Sequence, residues 1–136
     1  MQSNSDNGIQ AIDLAEIKPR AHYSNAIVAG GFVYISGQTP RDATGNVVGN
    51  TIEEQTAAVL DSVIKVLAAA GAKLEDVVKS SVYLRDLALF QRFNATYARY
   101  FPVHKPARTT VASDFLDIMI EVDVVAYIGT RRGGSD

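Results

Sequence analysis

Two charged side chains in the C-terminal third of the sequence have the chemistry to handle a small carboxylate-bearing molecule. Arg108 follows Pro106 and Ala107 at the start of a predicted strand, where its guanidinium can project into a cleft. This planar group can donate two parallel hydrogen bonds to one carboxylate. A surface arginine that pairs with a nearby acid is the alternative interpretation, and the spacing alone favours it.

Glu121 is the second candidate, because it is an acid inside an otherwise apolar predicted strand. Burial would raise the pKa of its carboxyl group, which would suit it to proton transfer. A charge that protects an edge strand from aggregation is an equally consistent interpretation.

Several other kinds of site are excluded or unsupported. The sequence has no cysteine, which rules out disulfides, thiolate metal sites and cysteine nucleophiles. It has no phosphate-binding glycine loop and no dinucleotide fingerprint, and Ser36-Gly37 lacks the Gly-x-Ser-x-Gly elbow. His22 and His104 are isolated, so we interpret each as a surface or structural residue. We therefore expect no metal site.

Length and composition fit one domain spanning residues 1–136, with flexible tails at 1–8 and 131–136. The chain is 47% hydrophobic and 21% charged, as in an ordinary globular domain. A formal net charge of -2 gives no broad attraction for nucleic acid or an anionic membrane. No apolar run approaches the roughly 20 residues that span a bilayer, and the polar N-terminus lacks a signal-peptide pattern. These features predict a cytoplasmic protein.

The elements that position the two candidates follow from local patterns. Ala26–Ala29, Gly30-Gly31 and Phe32–Ser36 predict a β-hairpin, followed by a surface connection to Asn50. Thr51 and Glu54 predict a capping box at the start of a helix that Gly71 ends.

A strand is predicted from Asp76 to Leu84, with Val78, Val82 and Leu84 on one face. The second helix should begin near Asp86 and end before Pro102. Its aromatic stripe predicts core packing rather than a ligand box. The stripe consists of Leu89, Phe90, Phe93, Tyr97 and Tyr100.

Two final strands are predicted, at Arg108–Ser113 and Ile118–Ile128. In the last one, residues 118, 120, 122, 124 and 126 share one face, and residues 119, 121, 123, 125 and 127 share the other. Strands grouped around two helices predict an α+β fold, with a mixed or antiparallel sheet covered on one face. Apolar residues on both faces of the last strand predict a subunit interface.

Short motifs along the chain resemble the Rid family of reactive imine and enamine deaminases, also called the YjgF family. The resemblance runs from about Ala21 to Tyr127, and its specificity comes from the order and spacing of the motifs. They are Tyr23-Ser24-Asn25-Ala26, Tyr34-Ile35-Ser36-Gly37-Gln38, Gln55-Thr56, Asn94-Ala95-Thr96-Tyr97, Pro106-Ala107-Arg108 and Glu121-Val122-Asp123.

This resemblance implies a chorismate-mutase-like fold and a homotrimer whose sheets form a central barrel, with ligand clefts between neighbouring subunits. It implies that Arg108 binds a substrate carboxylate and that Glu121 positions or activates water. The residues it places along the cleft are Tyr23, Ser36, Gly37, Asn94 and Thr110. The implied reaction is hydrolysis of 2-aminoacrylate or a related imine to a 2-keto acid and ammonia, without metal or organic cofactor.

The sequence departs from the family pattern at several positions. Thr110 replaces a common cysteine, and Asp61 replaces a common asparagine of the first helix at the surface. The segment Ser113–Asp117 lacks the usual Leu-Pro pair and is shorter than usual, and Phe101–Lys105 is compact. Because both loops would border the cleft, we expect the accepted substrate size to differ.

Two alternatives stay open at this stage. One is a pathway-specific deaminase of a larger, aminomuconate-like enamine. The other is a non-catalytic trimer in which Arg108 binds carboxylate metabolites while Glu121 performs no chemistry.

Overall fold

The residues that the structure describes form an α+β domain of seven strands and two α-helices. The computed structural model describes residues 2–4 and 7–129, so the predicted tail at 131–136 lies outside the described residues. In chain order the elements are β1 (Gln2–Asn4), β2 (Gln10–Ile12), β3 (Ala26–Ala29), β4 (Phe32–Gln38), α1 (Ile52–Ala69), β5 (Val77–Leu84), α2 (Phe90–Tyr100), β6 (Ala107–Ala112) and β7 (Ile120–Tyr127).

All seven strands form one mixed sheet in the order β1-β2-β3-β4-β7-β5-β6. Neighbouring strands are antiparallel except β5 and β6, which are parallel and connected through α2. Helix α1 packs on β4, β7 and α2. Both helices therefore cover the same face, as predicted. None of the helices in the described residues is long and apolar enough to cross a membrane.

Strand β7 organises the core by strict alternation. Its residues Ile120, Val122, Val124 and Ala126 are buried beneath the helices. The intervening positions project from the opposite face of the sheet, which no helix of the described residues covers. That second face, called the bare face below, carries Phe32, Tyr34, Tyr83, Glu121, Asp123, Val125 and Tyr127. The predicted subunit interface on this face stays a prediction.

The ends of α1 follow the predicted local rules. Thr51 Oγ1 accepts a hydrogen bond from the Glu54 N–H at 3.1 Å. The Glu54 carboxylate accepts from the Asn50 N–H at 2.7 Å, one residue before the position that a regular capping box uses. At the other end, Gly71 has a φ of 79° and Ala72 N–H donates to the Leu67 carbonyl at 2.8 Å. This pair of features is a Schellman motif.

Three features differ from the predictions. Gln2–Asn4 form β1 within the N-terminal stretch predicted to be loose, and β2 was not predicted. Asp76 lies in a 3-10 turn before β5 rather than in the strand. Val78 does not share a face with Val82, because a register shift between Val77 and Lys79 leaves it exposed.

The contribution of β2 can be measured through Ile12, whose side chain is 0% exposed. Ile12→Ala should lower the free energy of unfolding by about 2–5 kcal/mol, because it opens a cavity in the core. The matched change Ile9→Ala, at a side chain that is 43% exposed, should alter it by less than about 0.5 kcal/mol. Denaturant unfolding at one protein concentration compares the two variants. Equal losses would show that the N-terminal strands do not contribute to the core.

Candidate functional site

Arg108 is held by side chains of helix α2. Its Nη1 donates to the Asn94 Oδ1 at 2.8 Å. The guanidinium carbon lies 4.7 Å from the ring centroid of Tyr97, 5.3 Å from that of Phe93 and 5.5 Å from that of Phe90. Positions 90, 93, 94 and 97 share one face of a helix, so a single helical face supplies all four contacts. Cation–π attraction and the amide oxygen thus fix the guanidinium.

The interpretation of Arg108 as half of a surface ion pair is wrong. The ion pairs found among residues 7–129 join Arg41 to Asp117 and Arg92 to Glu53. Arg108 is half-buried and contacts an uncharged amide and three rings. A guanidinium has five N–H donors and the hydrogen bond to Asn94 uses one of them, so others can donate to a ligand.

A cavity of about 430 Å³ opens beside Arg108. This volume is in the range of pockets that hold small molecules. Two cations and no carboxylate face it, which favours an anionic ligand. Its lining consists of Asn94, Tyr97, Ala98, Phe101, Lys105, Pro106 and Arg108.

Two buried hydroxyl groups lie behind the guanidinium. Ser80 is directly opposite Arg108 in the pairing of β5 with β6. Neither Ser80 Oγ nor Tyr97 Oη makes a hydrogen bond of standard geometry. Burial raises the pKa of the Tyr97 phenol, while the nearby Ser80 hydroxyl and Arg108 charge act in the opposite direction. The rear wall of this site is therefore polar but not fully hydrogen-bonded.

Glu121 lies against a bulge in strand β4. Register in the β4–β7 pair shifts between Ile35 and Gln38, so Ser36 and Gly37 together oppose one residue of β7. A Cβ atom at Gly37 would lie 1.9 Å from Glu121 Oε2. Only glycine leaves room for the carboxyl group here. Burial raises the pKa of Glu121, and the negative charge of Asp123 raises it further. Glu121 is therefore half-buried and binds its proton more tightly than a free glutamate.

Tyr23 and Ser36 lie near this second group of residues. Tyr23 lines a cavity of about 230 Å³ together with Gly37. Its phenol is accessible, and its oxygen accepts a hydrogen bond from the Arg20 N–H at 3.2 Å. The Ser36 hydroxyl donates to the Ser24 carbonyl at 2.6 Å. Ser36 can therefore only accept a hydrogen bond from a ligand.

The predicted site residues fall into two groups on opposite faces of the sheet. Arg108 pairs with Ser80, which pairs with the buried Val124, so Arg108 lies on the helix-covered face. Thr110 lies on this same face but not in the cavity lining. Glu121 pairs with Tyr83 on the bare face. Strand β5 separates the two groups, so one chain does not bring Arg108 and Glu121 to the same ligand.

Other residues flagged in the sequence have structural contacts. His104 Nε2 lies in contact with the Val77 carbonyl, which confirms a structural role. Asp61 is exposed and accepts a hydrogen bond from the Tyr100 hydroxyl at 3.0 Å, which links α1 to α2. In the loop after β6, Asp117 accepts two hydrogen bonds from Arg41, at 2.8 and 3.2 Å. Asp61 and Asp117, which lie at two departures from the family pattern, thus make hydrogen bonds within the fold.

The sequence patterns do not predict that Phe90, Phe93 and Tyr97 form an aromatic wall around Arg108. Phe93 and Tyr97 are buried, so the predicted core role is confirmed, but both rings also contact the guanidinium. The position of Asn94 within the stripe was the available signal, because it places a polar acceptor on the same helical face. Tyr83 was missed too: its hydroxyl reaches Asp123 beside Glu121.

Comparison with known proteins gives consistent matches over most of the chain. Residues 14–128 match the family described as Endoribonuclease L-PSP. A RutC family protein of Saccharolobus solfataricus is 48% identical over 112 residues, which cover 80% of this chain and 89% of that protein. Reactive Intermediate Deaminase A, a chloroplastic protein of Arabidopsis thaliana, is 41% identical over 109 residues, which cover 78% of this chain and 58% of that protein.

A crystal structure from Yersinia pestis, of a protein in the conserved Rid protein family, superposes with a TM-score of 0.82 at 33% identity. The match covers 88% of this chain and 99% of that one. Sequence family, relatives and fold agree with the motifs that surround Arg108 and Glu121. The chain belongs to the Endoribonuclease L-PSP family, the Rid or YjgF family that its motifs resemble.

Proposed function

We propose that the protein is a hydrolytic deaminase of reactive 2-imino acids and enamines such as 2-aminoacrylate. The observation that carries the proposal is the Arg108 cavity, where a fixed guanidinium faces a space lined by no carboxylate. A relative that is 41% identical bears the name Reactive Intermediate Deaminase A. The net reaction joins an imine and water to give a 2-keto acid and ammonia.

The chemistry requires little from the protein. The imine carbon is already electrophilic, and protonation of its nitrogen makes it more so. Water then adds to that carbon, and ammonia leaves as the carbon–nitrogen bond breaks. The site must orient the substrate, place one water and move protons, which a carboxylate clamp and one acid–base group can do. Arg108 fits the first role and Glu121 the second.

Two copies of the chain are needed for this assignment. Arg108 and Glu121 lie on opposite faces of one sheet, so a single chain presents only half of the machinery to a ligand. Strand β6 is an edge strand, so another copy can approach beside Arg108. We therefore place the cleft between two subunits, with Arg108 from one copy and Glu121 from its neighbour, in the homotrimer that the family resemblance implies.

The word endoribonuclease in the family description does not lead us to propose nucleic acid as the substrate. The formal net charge is -2, whereas phosphate binding relies on many cationic contacts. The Arg108 cavity adds only Lys105 as a second cation. A small carboxylate fits this charge distribution better.

The role of Arg108 can be tested with imines generated by an amino-acid oxidase and trapped by semicarbazide. Wild-type protein should shorten the imine lifetime and so reduce semicarbazone formation. Arg108→Lys should lower kcat/KM at least about tenfold, because hydrogen bonds to charged groups contribute about 1.5–3 kcal/mol each. Arg92→Lys is the matched control at a surface ion pair and should leave kcat/KM unchanged.

Full activity in Arg108→Ala would contradict the proposal. Saturable binding of 2-keto acids without turnover of any imine would instead establish the non-catalytic carboxylate-binding protein. A panel that extends from 2-aminoacrylate to dicarboxylic enamines separates the general deaminase from a pathway-specific one, since only the latter would prefer the larger substrates.

Gly37 provides a test of Glu121 that keeps the carboxyl group in the protein but displaces it. Gly37→Ala puts a methyl group where Glu121 Oε2 lies, so the carboxyl must shift. We expect a loss of kcat of about tenfold or more, since proton transfer by a positioned group contributes about 10²–10⁴-fold. We also expect reduced thermal stability. The double variant Gly37→Ala with Glu121→Ala should recover that stability but not the activity. Unchanged activity in Gly37→Ala would refute the assigned role.

The raised pKa of Glu121 predicts that replacing this carboxyl group increases thermal stability at high pH. The folded state binds this proton more tightly than the unfolded state does. Ionisation of Glu121 therefore destabilises the fold as the pH rises above the ordinary pKa of a glutamate. Glu121→Gln should therefore raise the melting temperature at pH 8 and leave it nearly unchanged at pH 4. Melting curves at both pH values measure this. If Glu121→Gln were less stable than wild type at pH 8, the folded state would stabilise the charged form of Glu121 rather than disfavour it.

A further inference from the structure

A tyrosine and a second acid accompany Glu121 on the bare face of the sheet. Tyr83 is directly opposite Glu121 in the pairing of β5 with β7. Its hydroxyl reaches diagonally to Asp123 and donates to Oδ2 at 2.9 Å. A diagonal contact of this kind is within reach of an aromatic side chain in an antiparallel pair. The Tyr83 ring therefore runs along the strand from the level of Glu121 to that of Asp123.

The side chains of Tyr83, Glu121 and Asp123 are closely confined. Asp123 is two residues from Glu121 on β7, so both carboxyl groups project from one face. The bulge at Ser36 and Gly37 lies across from Asp123 and brings Gly37 against the Glu121 carboxyl. Gly37 thus limits Glu121 on one side, while Tyr83 occupies the opposite strand.

Within residues 7–129, no cation of the same chain offsets the negative charge of this group. Lys79 is the charged residue of β5 on this face, and its Nζ donates to the Thr109 hydroxyl at 2.8 Å. Strand β4 contributes Tyr34 as its titratable group here, and β6 contributes uncharged residues. Burial raises the pKa of Glu121, and within residues 7–129 Asp123 is the one charged group that raises it further.

We propose that Asp123, tethered by the Tyr83 hydroxyl, is a positioning residue that holds Glu121 ready for proton transfer in both directions. The Tyr83 hydrogen bond keeps the Asp123 carboxylate in a fixed place next to Glu121. A neighbouring fixed charge makes Glu121 a better proton acceptor than an isolated carboxylate would be. The tether prevents Asp123 from turning away, so this effect persists in the free protein.

This inference rests on the proposed function for its chemical meaning. Glu121 would donate its proton to the imine nitrogen and would then accept a proton from the attacking water. No net proton is gained or lost by the protein across these two transfers. A carboxyl group with a raised pKa suits both steps better than one that is fully ionised.

The test is a titration of the Glu121 carboxyl carbon by NMR in the full-length protein, labelled at glutamate and assigned with Glu121→Gln. No substrate is involved. The proposal predicts that Asp123→Asn moves the Glu121 titration to lower pH and that Tyr83→Phe moves it in the same direction by less. Asp123→Glu should restore most of the wild-type behaviour because it keeps the charge. Tyr34→Phe, which removes a hydroxyl from the same face, is the matched control and should have no effect.

An unchanged Glu121 titration in Asp123→Asn, or a shift in Tyr34→Phe as large as that in Tyr83→Phe, would overturn the proposal. If imine turnover is present, the pH limb of kcat/KM that reports Glu121 should move to lower pH in Asp123→Asn, in step with the titration. If turnover is absent, the deaminase proposal fails while the titration still decides whether Asp123 and Tyr83 act on Glu121.

Discussion

The alternation of side chains along β7 is the constraint on which the rest of the molecule depends. Its even-numbered residues are buried under the helices, and its odd-numbered residues form the other face. Both neighbouring strands take their register from it, and α1 packs on its buried side. A slip of one residue would bury Glu121 and Asp123 and expose the core. The hydrophobic pattern that makes the fold stable therefore also determines where the acids lie.

The same alternation places the two candidate functional groups on opposite faces of the sheet. A cation held by α2 lies on one face, and an acid with a raised pKa lies on the other. Their separation prevents an ion pair between Arg108 and Glu121 within one subunit. Each group is instead held by uncharged or like-charged neighbours: Asn94 and three rings for Arg108, Gly37 and Asp123 for Glu121. The two meet only if a second copy supplies one of them, so assembly and activity are linked in the proposed function.

Much of this organisation could be predicted from the sequence, because it depends on local rules. The hairpin at Gly30-Gly31, the Thr51 cap and the Gly71 stop are each encoded within a few residues. Strand β2 was missed because three residues carry too little periodicity, and its burial depends on pairing with β3. Val78 was misassigned because a bulge interrupts alternation without a local signal. The aromatic wall around Arg108 could not be predicted, because it depends on the packing of β6 beside α2. That packing is a tertiary contact, which no local sequence pattern encodes.

Subunit mixing shows whether Arg108 of one copy and Glu121 of another form one site. Arg108→Ala and Glu121→Ala proteins, each inactive alone, would be unfolded together in equal amounts and refolded. In a cyclic trimer with one site per interface, random mixing should restore about one quarter of wild-type imine turnover, because one interface in four receives both intact residues. If a single chain supplied both residues, no mixture would recover activity, and that result would rule out a site shared between copies.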